Sequence, residues 1–138
     1  MIEDGQPLTL LEDAHVVAEL SLEIAGGVGA PAEARTALRR FHPELPPELM
    51  QIIVLLASEL VSNAVKHAKA ELIGIRFEVL PRSVRVEVAD AGPGFEHRPL
   101  VHDPDGVGGW GLRLVDKMST RWGIAAKPGA HVWFEIDR

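Results

Sequence analysis

Residues 106 to 116 read Gly-Val-Gly-Gly-Trp-Gly-Leu-Arg-Leu-Val-Asp, and no other stretch constrains the fold as much. Four glycines lie between positions 106 and 111, and Leu112, Val115 and Met118 follow at helical spacing. The pattern predicts a flexible loop that opens onto the N-terminus of a helix. Glycine lets backbone N–H groups approach a ligand closely, and the first turn of a helix adds unpaired donors and a partial positive charge. Phosphate is the natural guest of such a place. The spacing of Gly106, Gly108 and Gly111 also fits the G-x-G-x-x-G of dinucleotide-binding folds and of protein-kinase phosphate loops. The preceding segment, Glu96 to Asp105 with Pro99 and Pro104, is not the buried strand that a dinucleotide site requires. No V-A-I-K, H-R-D or D-F-G accompanies it. A surface linker would use the same glycines, so this segment alone decides nothing.

The rest of the chain supplies the frame. Residues 1–15 carry no clear period and read as a loose leader, with a single domain expected over 16–138. Ala18, Leu20, Leu22 and Ile24 alternate with Glu19, Ser21 and Glu23, the period-2 signature of a half-buried strand that Gly26, Gly27 and Gly29 end. Pro31 suits the first turn of a short helix reaching Arg40, and the prolines between Phe41 and Pro47 break it. A longer helix is predicted from Glu48 to Ala68, with a wide apolar face of Leu49, Ile52, Ile53, Leu56, Leu60 and Ala64. On its second half Glu59, Asn63 and Lys66 stand at i, i+4 and i+7, one stripe at about 100° per residue, with His67 a step aside. A solvated face would look the same, and so would an acid and an amide aimed into a cleft. Ile73, Ile75, Phe77 and Val79, then Val84, Val86 and Val88, predict an antiparallel hairpin turning at Pro81 to Ser83. Its second strand runs into Asp90-Ala-Gly92-Pro-Gly94, where a plain Asx-type turn is the competing reading. Helix Leu112 to Met118 and two final strands, around Trp122 to Ile124 and Val132 to Ile136, complete the pattern.

Composition narrows the partners. The chain has no cysteine, which excludes disulfides, thiolate metal sites and a cysteine nucleophile. Its six histidines show no metal-ligand spacing. The net charge of −6, with no basic cluster, argues against nucleic acid or an anionic membrane as partner. The apolar run Ile52 to Ala57 is too short to span a bilayer, and a cytoplasmic location is the expectation.

Read together, three segments become specific. Glu59-Leu-Val-Ser-Asn63-Ala-Val-Lys66-His67-Ala on a helix, Asp90-Ala-Gly92-Pro-Gly94 after a strand, and Gly106-Val107-Gly108-Gly109-Trp110-Gly111-Leu112 before a helix resemble the N, G1 and G2 boxes of the GHKL ATP-binding superfamily. Within it the chain is most similar to the anti-sigma-factor serine/threonine kinases, through Ala34-Arg35, Ser58-Glu59-Leu60-Val61, Leu114-Val115-Asp116, Arg121-Trp122-Gly123 and Val132-Trp133-Phe134-Glu135 as well. The resemblance implies an α+β two-layer sandwich, with helices packed on one face of a mixed, largely antiparallel sheet, and ATP with Mg²⁺ as ligands. It implies that Asp90 accepts a hydrogen bond from the adenine amino group, and that Gly92 and Gly94 let the backbone pass the base and sugar. Asn63 would bind magnesium, flanked by Lys66 and His67 as further nucleotide contacts. Glu59 would take the proton of the attacking hydroxyl. Residues 106 to 112 would wrap the phosphates. His131 stands where many relatives carry a threonine whose hydroxyl supports the aspartate, so the departure from the family pattern implies a weaker hold on the base. No phosphoacceptor helix is recognisable before Glu59, so the resemblance implies a catalytic domain acting on another protein. That protein would be a small STAS-like anti-sigma antagonist, with a sigma factor as second partner and the kinase itself a homodimer. A nucleotide-binding protein that sequesters its partner without phosphotransfer is the alternative.

Overall fold

The strong alternation of residues 72 to 90 folds as expected into a hairpin, and the rest of the sheet is assembled on it. The computed structural model describes residues 15–41, 43–68, 71–90, 108–126 and 130–138. Five strands, β1 (Ala18–Ala25), β2 (Leu72–Val79), β3 (Ser83–Asp90), β4 (Arg121–Ala126) and β5 (Ala130–Asp137), form one sheet in the order β1-β2-β3-β5-β4. Three helices, α1 (Ala30–Arg40), α2 (Pro47–Asn63) and α3 (Gly108–Met118), connect them, and a π-helical turn (Ala64–Ala68) extends α2. All four strand pairings are antiparallel, so the sheet expected to be mixed and largely antiparallel has no parallel pair among the described residues.

The register stacks the apolar positions in rows across the sheet. Leu20, Phe77, Val86, Phe134 and Trp122 face each other strand by strand, and so do Leu22, Ile75, Val88, Val132 and Ile124. One face of the sheet is therefore apolar and the other polar, the arrangement of an antiparallel sheet covered on one side. The helices cover the apolar face with Ala34, Leu38, Ile53, Leu56, Leu60, Val61 and Val115, and this core has Phe77 and Phe134 fully buried at its centre. Each large side chain so buried stabilises the fold by about 1.5–3 kcal/mol. Phe41, just past the end of α1, packs edge-on against Phe77 with ring centroids 5.1 Å apart. In the turn between β1 and α1, Gly27 takes φ 135°, which a side chain would strain.

Two elements differ from the sequence reading. Helix α3 begins at Gly108, not Leu112, so Gly108, Gly109 and Gly111 lie in its first turn. Glycine disfavours a helix by about 1 kcal/mol relative to alanine, and burial of Leu112 and Val115 overrides that local preference. Secondly, α2 passes at Ala64 into the π-turn, whose looser winding no residue pattern announced. The helical stretch Pro47–Lys66 has a mean hydropathy of 1.5, long and apolar enough to cross a membrane by length and composition. The expectation from the short run Ile52 to Ala57 missed this. Here the stretch is the core helix, packed against α1, α3 and β3, with half of its length buried.

On the polar face, the ring of Trp133 lies over Gly123, its partner in the β4–β5 pairing, and the Arg85 guanidinium caps the ring at 4.5 Å. Arg85 and Arg121 both bind Glu135, at 2.9 and 2.8 Å, and Arg121 also binds Asp137 at 2.6 Å. Hydrogen bonds to Asp137 and then to Glu135 raise the Arg121 pKa. A base with a raised pKa stabilises the fold at every pH below its unfolded value, so this arginine adds no pH dependence near neutrality. A Cβ at Gly123 would meet Trp133 ring atoms at 2.9 to 3.1 Å. Gly123→Ala should therefore displace the indole and cost about 1–3 kcal/mol, read as a lower urea midpoint with an unchanged slope. An unchanged midpoint would mean that the ring swings aside freely.

Candidate functional site

Chain direction gathers Asp90, Asn63 and the start of α3 at one end of the fold. Strand β3 ends at Asp90, α2 ends at Asn63, and α3 begins at Gly108. Strand β5, which runs antiparallel to β3, begins at Ala130 on the same side. Because α2 packs against both β3 and α3, and the π-turn packs against β3, the three segments meet at this end.

Asp90 is the last residue of the central strand and belongs to the apolar face, opposite Ile73. It is only 2% exposed, where a simple Asx turn would leave the carboxylate in water. Its Oδ2 is sealed from solvent with no hydrogen-bond partner among the described residues. Asn63, 3% exposed, is buried at the end of α2, and its Nδ2 likewise has no partner there. Leaving a buried polar group unsatisfied costs about 1–3 kcal/mol, so an amide held this way is suited to an incoming ligand. Glu59, one helical turn earlier, is half-buried and reachable.

Along the expected stripe Glu59 is half-buried, Asn63 is buried, and Lys66, within the π-turn, is exposed. His67 lies within the π-turn. Gly108, Gly109, Trp110 and Gly111 form the first turn of α3, and Leu112 is a core residue at 4% exposure. Gly92, Gly94, Gly106 and Val107 lie outside the described residues, as do residues 1–14 of the expected leader. The expectation that His131 takes the place of a threonine supporting the aspartate is corrected. It pairs with Ala89, on the polar face, and its Nδ1 lies 3.0 Å from Glu87 Oε2. Asp90 points to the other face, and continuing the register puts Ala130, not His131, opposite it. No group of three or more histidine or carboxylate ligands exists among the described residues. Mg²⁺ needs no such cage, because it keeps several waters and takes one or two protein oxygens besides those of phosphate. The Asn63 amide fits that requirement.

A one-sided antiparallel sheet with a buried carboxylate ending its central strand, faced by a helix that carries an amide and an acid, is the framework of an ATP-binding α+β domain. Residues 28–136, well over half of the chain, match the family model of the histidine kinase-like ATPase domain, and the chain belongs to that family. Solved structures share the fold, two of them as follows. The RsbU and RsbW domains of a Mycobacterium tuberculosis protein superpose with a TM-score of 0.62 at 21% identity, over 87% of this chain and 32% of that one. The histidine kinase domain of a blue-light-activated histidine kinase from Erythrobacter litoralis gives 0.55 at 23% identity, over 78% of this chain and 59% of that one. The chain thus spans about a third of the first and somewhat over half of the second. No curated protein matches it in sequence.

Proposed function

We propose that this chain is a serine/threonine protein kinase of the anti-sigma-factor type, which uses Mg-ATP to phosphorylate a small STAS-like antagonist and so releases or recaptures a sigma factor. The observation that carries the reading is the convergence at one end of the fold of buried Asp90, buried Asn63 and half-buried Glu59. A buried carboxylate at Asp90 suits the exocyclic amino group of adenine, and guanine has no donor at that position. The first turn of α3 presents N–H groups to phosphate oxygens. Asn63 would hold Mg²⁺, which when bound neutralises charge on the β- and γ-phosphates. The hydroxyl oxygen of the acceptor then attacks the γ-phosphorus, the bond to the bridging oxygen breaks, and ADP leaves. Glu59 receives the hydroxyl proton, and its partial exposure lets an acceptor hydroxyl reach it.

The test is to incubate the protein with Mg-ATP and a purified candidate antagonist and to follow intact mass. One added phosphate that survives acid is the expected result, since serine and threonine esters are acid-stable. An acid-labile phosphate would mark histidine as the acceptor, and no transfer would leave a nucleotide-binding sequestering protein.

A further inference from the structure

Helix α3 is secured at the end away from Asp90 and Asn63. Past its last turn, Ser119 N–H and Oγ–H both donate to the Val115 carbonyl, at 2.9 and 2.5 Å. Thr120 N–H donates to the Glu135 carbonyl of β5 at 2.8 Å, and Thr120 Oγ1 accepts from the Asp137 N–H at 2.9 Å. These bonds pin the point at which the chain leaves α3, but they do not set the direction of its axis. One turn earlier, the Trp122 indole N–H donates to Asp116 Oδ1 at 2.8 Å. Trp122 stands opposite the fully buried Phe134 in the β4–β5 pairing, so this bond ties the helix to the core face of the sheet. Among the described side chains of α3 only Leu112 and Val115 are buried, so packing grips the helix along one narrow line. Asp116 is otherwise badly placed. It is exposed in the last turn of α3, where the helix dipole disfavours an anion and alanine is the better helix former.

We infer that Asp116 is a positioning residue for the phosphates of the nucleotide: its bond to Trp122, together with the pinned Thr120, fixes the direction of α3 and so the place of the N–H groups in its first turn. The inference rests on the reading in which that turn meets the phosphates. A helix rises 1.5 Å per residue, so Gly108 lies about 15 Å from Met118, and a tilt of about 10° at the far end moves it by roughly 2.5 Å. An N–H group displaced that far no longer reaches the oxygen it served. Asp116 touches no nucleotide in this scheme and acts only through the helix.

The experiment compares the parent with Asp116→Ala, Asp116→Asn, Trp122→Phe and the Asp116→Ala/Trp122→Phe double variant. It measures the dissociation constants of Mg-ATP and of adenosine, with the ligand-free melting point as the check on folding. Asp116→Ala should weaken Mg-ATP roughly three- to tenfold, the range of one net hydrogen bond. Adenosine, which has no phosphate, should bind it as it binds the parent, because the base is held at Asp90 on another element. The ligand-free melting point should change little, since alanine suits the helix end better than aspartate. Asp116→Asn keeps an acceptor oxygen and should keep most of the affinity. Trp122→Phe should match Asp116→Ala, and the double variant should be no weaker than either, because both substitutions remove the same bond. An unchanged Mg-ATP affinity in Asp116→Ala, equal losses for Mg-ATP and adenosine, or losses that add in the double variant would overturn the inference. A parent that binds neither ligand would remove the nucleotide reading of the site and this inference with it.

Discussion

Glu59→Gln is expected to lower phosphoryl transfer by about 10²–10⁴-fold, the usual contribution of a positioned general base, while Mg-ATP still binds. The two side chains have nearly the same shape, and Glu59 is half-buried on the surface of α2, outside the apolar core. Folding should therefore be little changed, and a loss of transfer would report chemistry. The discriminating measurement is single-turnover transfer beside the ATP-induced melting shift. Loss of transfer with the shift intact assigns the proton to Glu59. Loss of both would place Glu59 in nucleotide binding, and loss of neither would exclude it as the base.

Asp90→Asn is expected to abolish the rise in melting temperature that saturating Mg-ATP gives the parent. Ligand at about 100 times its dissociation constant stabilises a protein by about 2.7 kcal/mol, a shift of several degrees in a domain of this size. An amide at position 90 loses the charge and one of the two acceptor oxygens, so the exchange removes the charge-assisted contact that distinguishes adenine. Thermal melts of both proteins with ATP, ADP and GTP check this. GTP should be silent in the parent. A shift that survives the substitution would move base recognition elsewhere, and a parent that responds to no nucleotide would leave a binding module.

The sheet was readable in the sequence because period-2 alternation is imposed by burial on one face, and β1, β2, β3 and β5 all carry it. Asp90 was readable as a carboxylate at a strand end, though only the register shows that it faces the core. The start of α3 was misplaced because glycine argues locally for a loop, and packing of Leu112 and Val115 decides otherwise. The π-turn left no trace in residue type, since Ala64-Val-Lys-His-Ala suits an α-helix equally well. His131 was misjudged by one place, and in a strand one place changes the face. The contact between Gly123 and Trp133 joins residues that only the β4–β5 pairing brings together, so no local pattern held it.

The strand order β1-β2-β3-β5-β4 makes residues 91 to 129 a single excursion between two adjacent strands. Closing such an excursion costs entropy that grows only with the logarithm of its length, about 0.6 kcal/mol for each doubling. Residues added or removed in 91–107, between Asp90 and α3, should hardly disturb the pairing of β3 with β5 at equilibrium. Their effect falls on speed, because β5 must find β3 across the whole excursion and distant pairings form slowly. A change of length there should thus be recorded in the refolding time and not in the melting point.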